Sequence, residues 1–343
     1  MALRFQCLVR SIMYTDEDLD GAVEKGIFTN KSVETFRSYI SDRTNTHVED
    51  EENFRLIASF NDIFVVIACA LLLLSSAWVF HDVHAAFSAL VVSILSWGLA
   101  EFFVTKRKMA LPAIMLLISF VGGVLVSIIL MFETPSEISI MLAASVASIA
   151  AWFHWKRFKV PITVAAGAAT AVIFVISMFI SIFPGLKDYL IQFMFVGGVV
   201  IFIVAMRWDS GDLKRVTGKS DVAFWLHLAS APLIVHPIFT SLGILEGNES
   251  LASLAAIIIL YILLTLVSLA IDRRAFMVSS LVYVLVALTE LLKTYGFAGD
   301  SFAYVGVFIG FSLLLLSGFW HKARRKIVVY LPRNIQNRLP LVA

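Results

Sequence analysis

The chain has 343 residues, 59% hydrophobic and 15% charged, with a formal net charge of +2 and a mean hydropathy of +0.89. A soluble domain is about one quarter charged, so a water-soluble fold is excluded, and a charge this near zero gives no case for nucleic acid as a partner. Apolar runs such as Ala110 to Phe132 exceed the roughly 20 residues that cross a bilayer as a helix and lack the alternation of barrel strands, so the expected fold is all-α.

Residues 1–12 hold no helix cap, anchor or signal, and about sixty mostly polar residues precede the first apolar run, unlike a secretory leader. Met13 stands directly before the first helical pattern and is expected to be the true start, with Met1 an extension. Residues 15–45 read as a small helical hairpin. Thr15 is a candidate N-cap and Asp16, Glu17 and Asp18 form an acidic first turn that suits the helix dipole. Leu19, Ala22 and Val23 give the apolar stripe, and Gly26 stops the helix. Thr29 or Asn30 caps a second helix with Val33, Phe36, Tyr39 and Ile40 at helical spacing. So small a hairpin cannot bury a stable core alone. It is expected to pack on the membrane domain, on another copy of the chain or on a protein partner. Residues 42–53, with His47, Glu49, Asp50, Glu51 and Glu52, read as a solvated linker.

The series Ala22-Val23-Glu24-Lys25-Gly26-Ile27-Phe28-Thr29, then Ser32-Val33-Glu34 and Phe36-Arg37-Ser38-Tyr39-Ile40, resembles the head of the bacterial membrane proteins grouped as domain of unknown function 2157. The resemblance covers about residues 15–80. It implies a short helical head joined to many transmembrane helices, and a bacterial inner membrane. That family has no established activity, so the resemblance implies no reaction.

Ten spans follow, at about 60–80, 83–104, 110–132, 138–155, 160–183, 188–207, 221–243, 251–271, 275–293 and 300–320. The expected organisation is a cytoplasmic head (1–59), a transmembrane domain (60–320) that is a polytopic helical bundle in the lipid bilayer, and a basic cytoplasmic tail (321–343). Lysine and arginine resist translocation. Eighteen of them fall in alternate loops and the tail: Lys106, Arg107 and Lys108; Lys156, Arg157 and Lys159; Arg207, Lys214, Arg215 and Lys219; Arg273 and Arg274; and six beyond Trp320. The opposite loops hold two, Lys187 and Lys293, among Asp82, Glu133, Glu137, Asp188, Glu246, Glu249 and Asp300. Both termini are therefore expected in the cytoplasm. Trp152, Trp155, Trp208, Trp225 and Trp320 fall near the inner face, and Trp78 near the outer one, as an aromatic belt does. Cys7 and Cys69 read as unpaired, with no metal spacing.

Ser93 to Pro112 and Ser145 to Pro161 resemble each other, with Lys106-Arg107 over Lys156-Arg157 and Phe103 over Phe153, and a fainter echo lies at Ser268 to Val278. Duplicated hairpins explain this, and so does the shared composition of any basic membrane turn. Ten spans also divide as five plus five, which would invert the halves as in many secondary transporters.

Ionisable groups inside a membrane are costly and mark candidate sites. Glu101 ends the second span beside Lys106, Arg107 and Lys108, and reads either as a snorkelling acid paired with those bases or as a site. Glu290 stands three residues before Lys293, one helical face apart, as a surface pair or a coupling carboxylate. The richest stretch runs from Asp209 to Pro237. A candidate cytoplasmic loop with Asp209, Asp212 and Asp221 leads into a span with His227, His236 and the helix-kinking Pro232 and Pro237. Nine residues are about 13 Å of helix and 2.5 turns, so the two histidines point to different places and do not share one ion. They read as bonded to neighbouring helices or as a polar site for a proton or solute.

Gly122-Gly123, Gly197-Gly198 and the small-residue run Ala165 to Ala171 are expected to let helices approach closely. The tail carries Lys322, Arg324, Arg325 and Lys326 and is expected to contact anionic lipid, with Val328 to Leu341 extended along that surface. No phosphate loop, HExxH, CxxC or GxSxG motif is present, so no cofactor, metal or catalytic residue is assigned. Three functions stay open: movement of a small solute or ion, a scaffold acting through the head, and an intramembrane enzyme that would gather Asp209, Asp212, His227 or Glu101 on a lipid-linked substrate.

Overall fold

The computed structural model describes residues 16–36, 60–213, 215, 217–242, 251–294 and 301–340. It divides into two units, 1–51 and 52–343. Cys7, Thr15, Tyr39, Ile40, His47 and the side chains of Glu290 and Lys293 lie outside the described residues.

The first unit holds α1 (Asp16–Glu24) and α2 (30–36). Gly26 sits at φ 70°, the left-handed region where a side chain is strained, and so ends α1. The amides of Gly26 and Ile27 turn back to the carbonyls of Val23 and Ala22, each at 2.9 Å. Thr29 rather than Asn30 starts α2. Its hydroxyl accepts the Ser32 amide at 3.2 Å while its own amide donates to the Ser32 hydroxyl at 2.9 Å, a reciprocal cap. Val33 is buried, but Ile27, Phe28 and Phe36 stay exposed.

The second unit is helical, with no strand among the described residues. Its elements are α3 (Phe60–His81), α4 (Ala85–Ala100), α5 (Ala110–Ile129), α6 (Glu137–Phe158), α7 (Ile162–Ile182), α8 (Leu190–Ser210), α9 (Gly218–Ser241), α10 (Leu251–Ile271), α11 (Ala275–Thr294), α12 (Ser301–Tyr330) and α13 (Arg333–Gln336). A π-helical segment, Glu101–Lys106, prolongs α4, and a 3₁₀ turn, Pro184–Tyr189, leads into α8. Eight of these helices are long and apolar enough to cross a membrane, against the ten spans expected. The other two expected spans coincide with α10 and α11, whose described apolar stretches, Ala255–Ile271 and Ala275–Thr289, are shorter.

Packing shows which solvent the surface faces. Large apolar side chains point outward, among them Phe60, Leu74, Trp78, Val307, Phe308 and Leu314, while Ala143, Ala144, Ala147, Ala151, Ser96, Ser139 and Ser230 fill the interior. Exposing such a surface to water is prohibitive at about 25 cal/mol per Å² of apolar area. Facing lipid it costs nothing, and the helices associate instead through close packing and hydroxyl bonds. The chain is an all-α polytopic membrane protein. Ser88 donates to the Ala77 carbonyl (2.6 Å), Ser127 to that of Ala86 (2.9 Å), and Ser148 to the Thr170 hydroxyl (2.9 Å), each stitching one helix to the next.

The tightest neighbours are the pairs joined through basic loops: α4 with α5, α6 with α7, and α8 with α9. Successive hairpins then touch chiefly through α5 with α6, α7 with α9 and α9 with α11, and α3 packs on α4 and α5. Each basic loop has one non-glycine residue in the left-handed region: Lys108, Lys159, Arg215 and Asp272, spaced 51, 56 and 57 residues apart. These left-handed residues thus recur at a near-regular interval along the chain.

The tail departs from expectation. Helix α12 runs ten residues past Trp320 to Tyr330, and the segment after it is not extended. α13 turns the chain back so that Leu339 is buried in the same apolar cluster as Val328, and buried Arg324 donates to the Pro340 carbonyl at 2.7 Å. Arg324 is thereby withdrawn from the set expected on lipid, which leaves Lys322, Arg325 and Lys326 exposed.

Candidate functional site

Two buried carboxylates organise one end of the bundle, where the loops α8–α9 and α10–α11 meet α12. The first is Asp209. It belongs to the last turn of α8, not to the loop, and its side chain is 1% exposed. One of its oxygens accepts Arg273 Nη2 at 2.7 Å, and the other lies 2.9 Å from Nε2 of His227, itself fully buried. Arg273 Nη2 also donates to the hydroxyl (3.0 Å) and carbonyl (3.1 Å) of Ser220 in the first turn of α9. Three segments distant in sequence are thus latched at one carboxylate. Phe202 packs on His227 and on Phe276, at 5.4 Å between ring centroids in each case, and seals the latch from the bundle side.

The second carboxylate is Asp272. It accepts Arg215 Nη1 and Trp320 Nε1, both at 2.9 Å, and lies 3.4 Å from Arg324 Nε. Arg215 further donates to the Asp272 carbonyl at 3.1 Å. Burial, then the like charge of Arg273, pulls the Arg215 guanidinium below its ordinary value, while Asp272 opposes both. Arg274 stacks over Trp320 with its guanidinium carbon 5.0 Å from the ring centroid. The local cause is brevity: α10 ends at Ile271 and α11 begins at Ala275, so so short a connection cannot carry its charges out to water. They must find partners within the protein.

Of the other candidate residues, Asp212 and Asp221 lie beside this cluster, while His236 and Glu101 lie elsewhere. Asp212 accepts the amide (2.8 Å) and hydroxyl (2.6 Å) of Thr217 and shapes the loop into α9, which Thr217 caps. Asp221 lies half-buried in the first turn of α9. His236 reaches α11, where its Nδ1 is 2.6 Å from the Tyr283 hydroxyl. The two histidines therefore have separate partners, as their spacing requires. α9 runs unbroken past Pro232 and Pro237, the former exposed and the latter buried. Glu101 does not pair with Lys106, Arg107 or Lys108. The π-helical segment that begins with it aims the carboxylate at α6, where it accepts Arg157 Nε (2.8 Å) and Nη2 (2.7 Å) in a two-pronged exposed bridge. Asp209 and His227 have no part in that bridge.

Sequence reasoning counted Arg215, Asp272, Arg273 and Arg324 as loop or tail charges, or passed over them. The short connection after α10 was the available signal. It also missed His154, which is buried with Nδ1 3.2 Å from the Thr163 hydroxyl and is ringed by Trp97, Phe120 and Phe158 at 5.9, 5.7 and 4.5 Å between centroids. That packing ties the α4–α5 hairpin to α6–α7. Among the described residues no group of His, Cys, Asp or Glu is arranged to hold a metal, and Cys69 is a buried free thiol. Comparison of the chain with family models, with curated proteins and with solved structures finds no match.

Proposed function

We propose that this membrane protein moves a small solute or ion across a bacterial inner membrane, with both termini in the cytoplasm, and that the Asp209–His227–Arg273 latch is its closed gate on the cytoplasmic side. The observation that carries this reading is the latch itself. A packed apolar cluster would stabilise the bundle as well or better than buried charges do, so charges buried at one end of a membrane bundle point to a role beyond packing. Helix α9 supplies the moving part, because Pro232 and Pro237 each remove a backbone donor and let the helix bend between His227 and its outer end. Bending there separates Ser220 and His227 from Asp209 and breaks the latch.

The test is flux in proteoliposomes. Vesicles holding the chain are expected to dissipate imposed gradients of protons, alkali cations or small amino acids faster than empty ones. Arg273→Gln, which unlatches the gate, changes that rate at least about tenfold, the equivalent of about 1.4 kcal/mol. Rates equal to those of empty vesicles for every gradient tried would remove the reading.

A second reading rests on the head. Ile27, Phe28 and Phe36 are 66, 48 and 41% exposed on a hairpin in which, among the described residues, Val33 is buried. That apolar surface suits docking onto a protein partner or a second copy, and the resemblance to heads of the domain-of-unknown-function 2157 type is compatible with it. A chain lacking residues 16–36 would then insert normally and lose its activity, whereas a transporter would keep its flux.

A further inference from the structure

Between α11 and α12 the bundle surface opens into a groove of about 490 Å³, within the range of roughly 300–1,000 Å³ typical of ligand sites. Met277, Val278 and Leu281 form one wall and Gly310, Leu313 and Leu314 the other. Its polar groups gather at one end: Arg274, Ser317 and the edge of Trp320. Continuing α12 from Ser317 in steps of four residues brings His321 and Arg325, both exposed, beyond that same end. The ten residues from Gly310 to Trp320 rise about 15 Å along the helix, half the hydrocarbon thickness of about 30 Å. The groove's length therefore matches one leaflet, with its polar groups at one end and its apolar lining running away from them.

We propose that this groove is a site for one anionic phospholipid of the leaflet on the basic side, with an acyl chain lying against Leu281, Leu313 and Leu314 and the phosphate at Arg274. Shape and charge agree. The cavity is apolar along its length and cationic at one end only, and the Trp320 ring holds the Arg274 guanidinium at the mouth. The absence of a side chain at Gly310 makes room for the chain end, and a Cβ built there meets nothing within 4 Å. A helix from a second copy fits less well, because it would run the full membrane thickness, while exposed Val307, one turn beyond Gly310, borders the groove's face of α12. The site lies next to the Asp272 cluster through Trp320, which donates to that carboxylate, so its occupant rests against that cluster.

The test is native mass spectrometry on the full chain, stripped of lipid in mild detergent and titrated with phosphatidylglycerol or phosphatidylcholine. One phosphatidylglycerol is expected to be retained per chain, with about fivefold preference over phosphatidylcholine, the contribution of a single basic residue near a membrane surface. Arg274→Gln removes the preference and leaves weak binding of both lipids. Gly310→Phe, which fills the groove, abolishes the retained lipid, and Leu281→Trp does the same from the other wall should the first variant fold poorly. Undiminished retention in both filled-groove variants would overturn the proposal. So would a lipid-free dimer that dissociates in those variants, since it would assign the groove to a second copy.

Discussion

At the scale of single residues the decisive fact is that Asp209 and Arg273 are charged where there is no water. Each is tolerated because the other is present. Replacing Arg273 by methionine leaves Asp209 buried with only His227, and is expected to cost about 3–5 kcal/mol of stability. Adding Asp209→Asn to that variant removes the orphaned charge and recovers most of the loss. Denaturation of the single and double variants in detergent measures this coupling, and additive losses would show that the pair is not a unit. A second residue effect is local. Lys159 closes α6 at φ 55°, a conformation that costs a non-glycine residue about 1 kcal/mol. Lys159→Gly relieves this strain and is expected to raise the unfolding free energy by about 0.5–1 kcal/mol, whereas Lys159→Val lowers it. Equal melting curves for the two variants would refute the account.

At the scale of elements, adjacent glycines behave differently. A Cβ at Gly198 would stand 2.9 Å from the Leu233 backbone, so α8 and α9 touch there almost without side chains. Gly198→Leu must push the hairpin that carries the latch apart, at a cost of about 1–3 kcal/mol. Gly122 has nothing within 4 Å, while its neighbour Gly123 meets the Ala89 carbonyl and the Ser93 hydroxyl. Gly122→Ala is therefore expected to stabilise α5 by about 0.5–1 kcal/mol, and Gly123→Leu to disrupt its packing on α4. Thermal melts of the three variants decide whether the close approaches or the glycines themselves matter. The exposed Glu101–Arg157 bridge is a contrasting case. Glu101→Gln is expected to leave the melting temperature unchanged even though the geometry is two-pronged.

At the scale of the whole molecule, the alternation of basic and acidic loops along the chain predicts that the basic loops emerge on one side. Single cysteines placed at Lys108, Lys159 and Arg333 are expected to react with an impermeant maleimide only from the cytoplasm, and one at Asp82 only from outside. Mixed labelling of the first three would break both the topology and the repeat. The same arrangement explains why the latch sits where it does. Only on that side do the loops α8–α9 and α10–α11 come together with the end of α12, so that Asp209, Arg215, Asp272, Arg273 and Arg324 can meet.

Composition and hydropathy alone were enough to read lipid as the solvent, helix as the only element type among the described residues, and the position of each long helix to within a few residues except at the end of α12. The reason is that backbone bonding and burial in hydrocarbon are local demands, met or missed segment by segment. The separate aims of His227 and His236 were legible for the same reason, since helical geometry is local. Which charges meet was not legible. Glu101 chose Arg157, 56 residues away, over bases five to seven residues away, and Asp209 chose Arg273, 64 residues away. Those choices depend on which hairpins lie side by side and on whether a loop is long enough to reach water. Only the assembled bundle decides either, because burial turns a charge that would be solvated into one that must find its opposite within the protein.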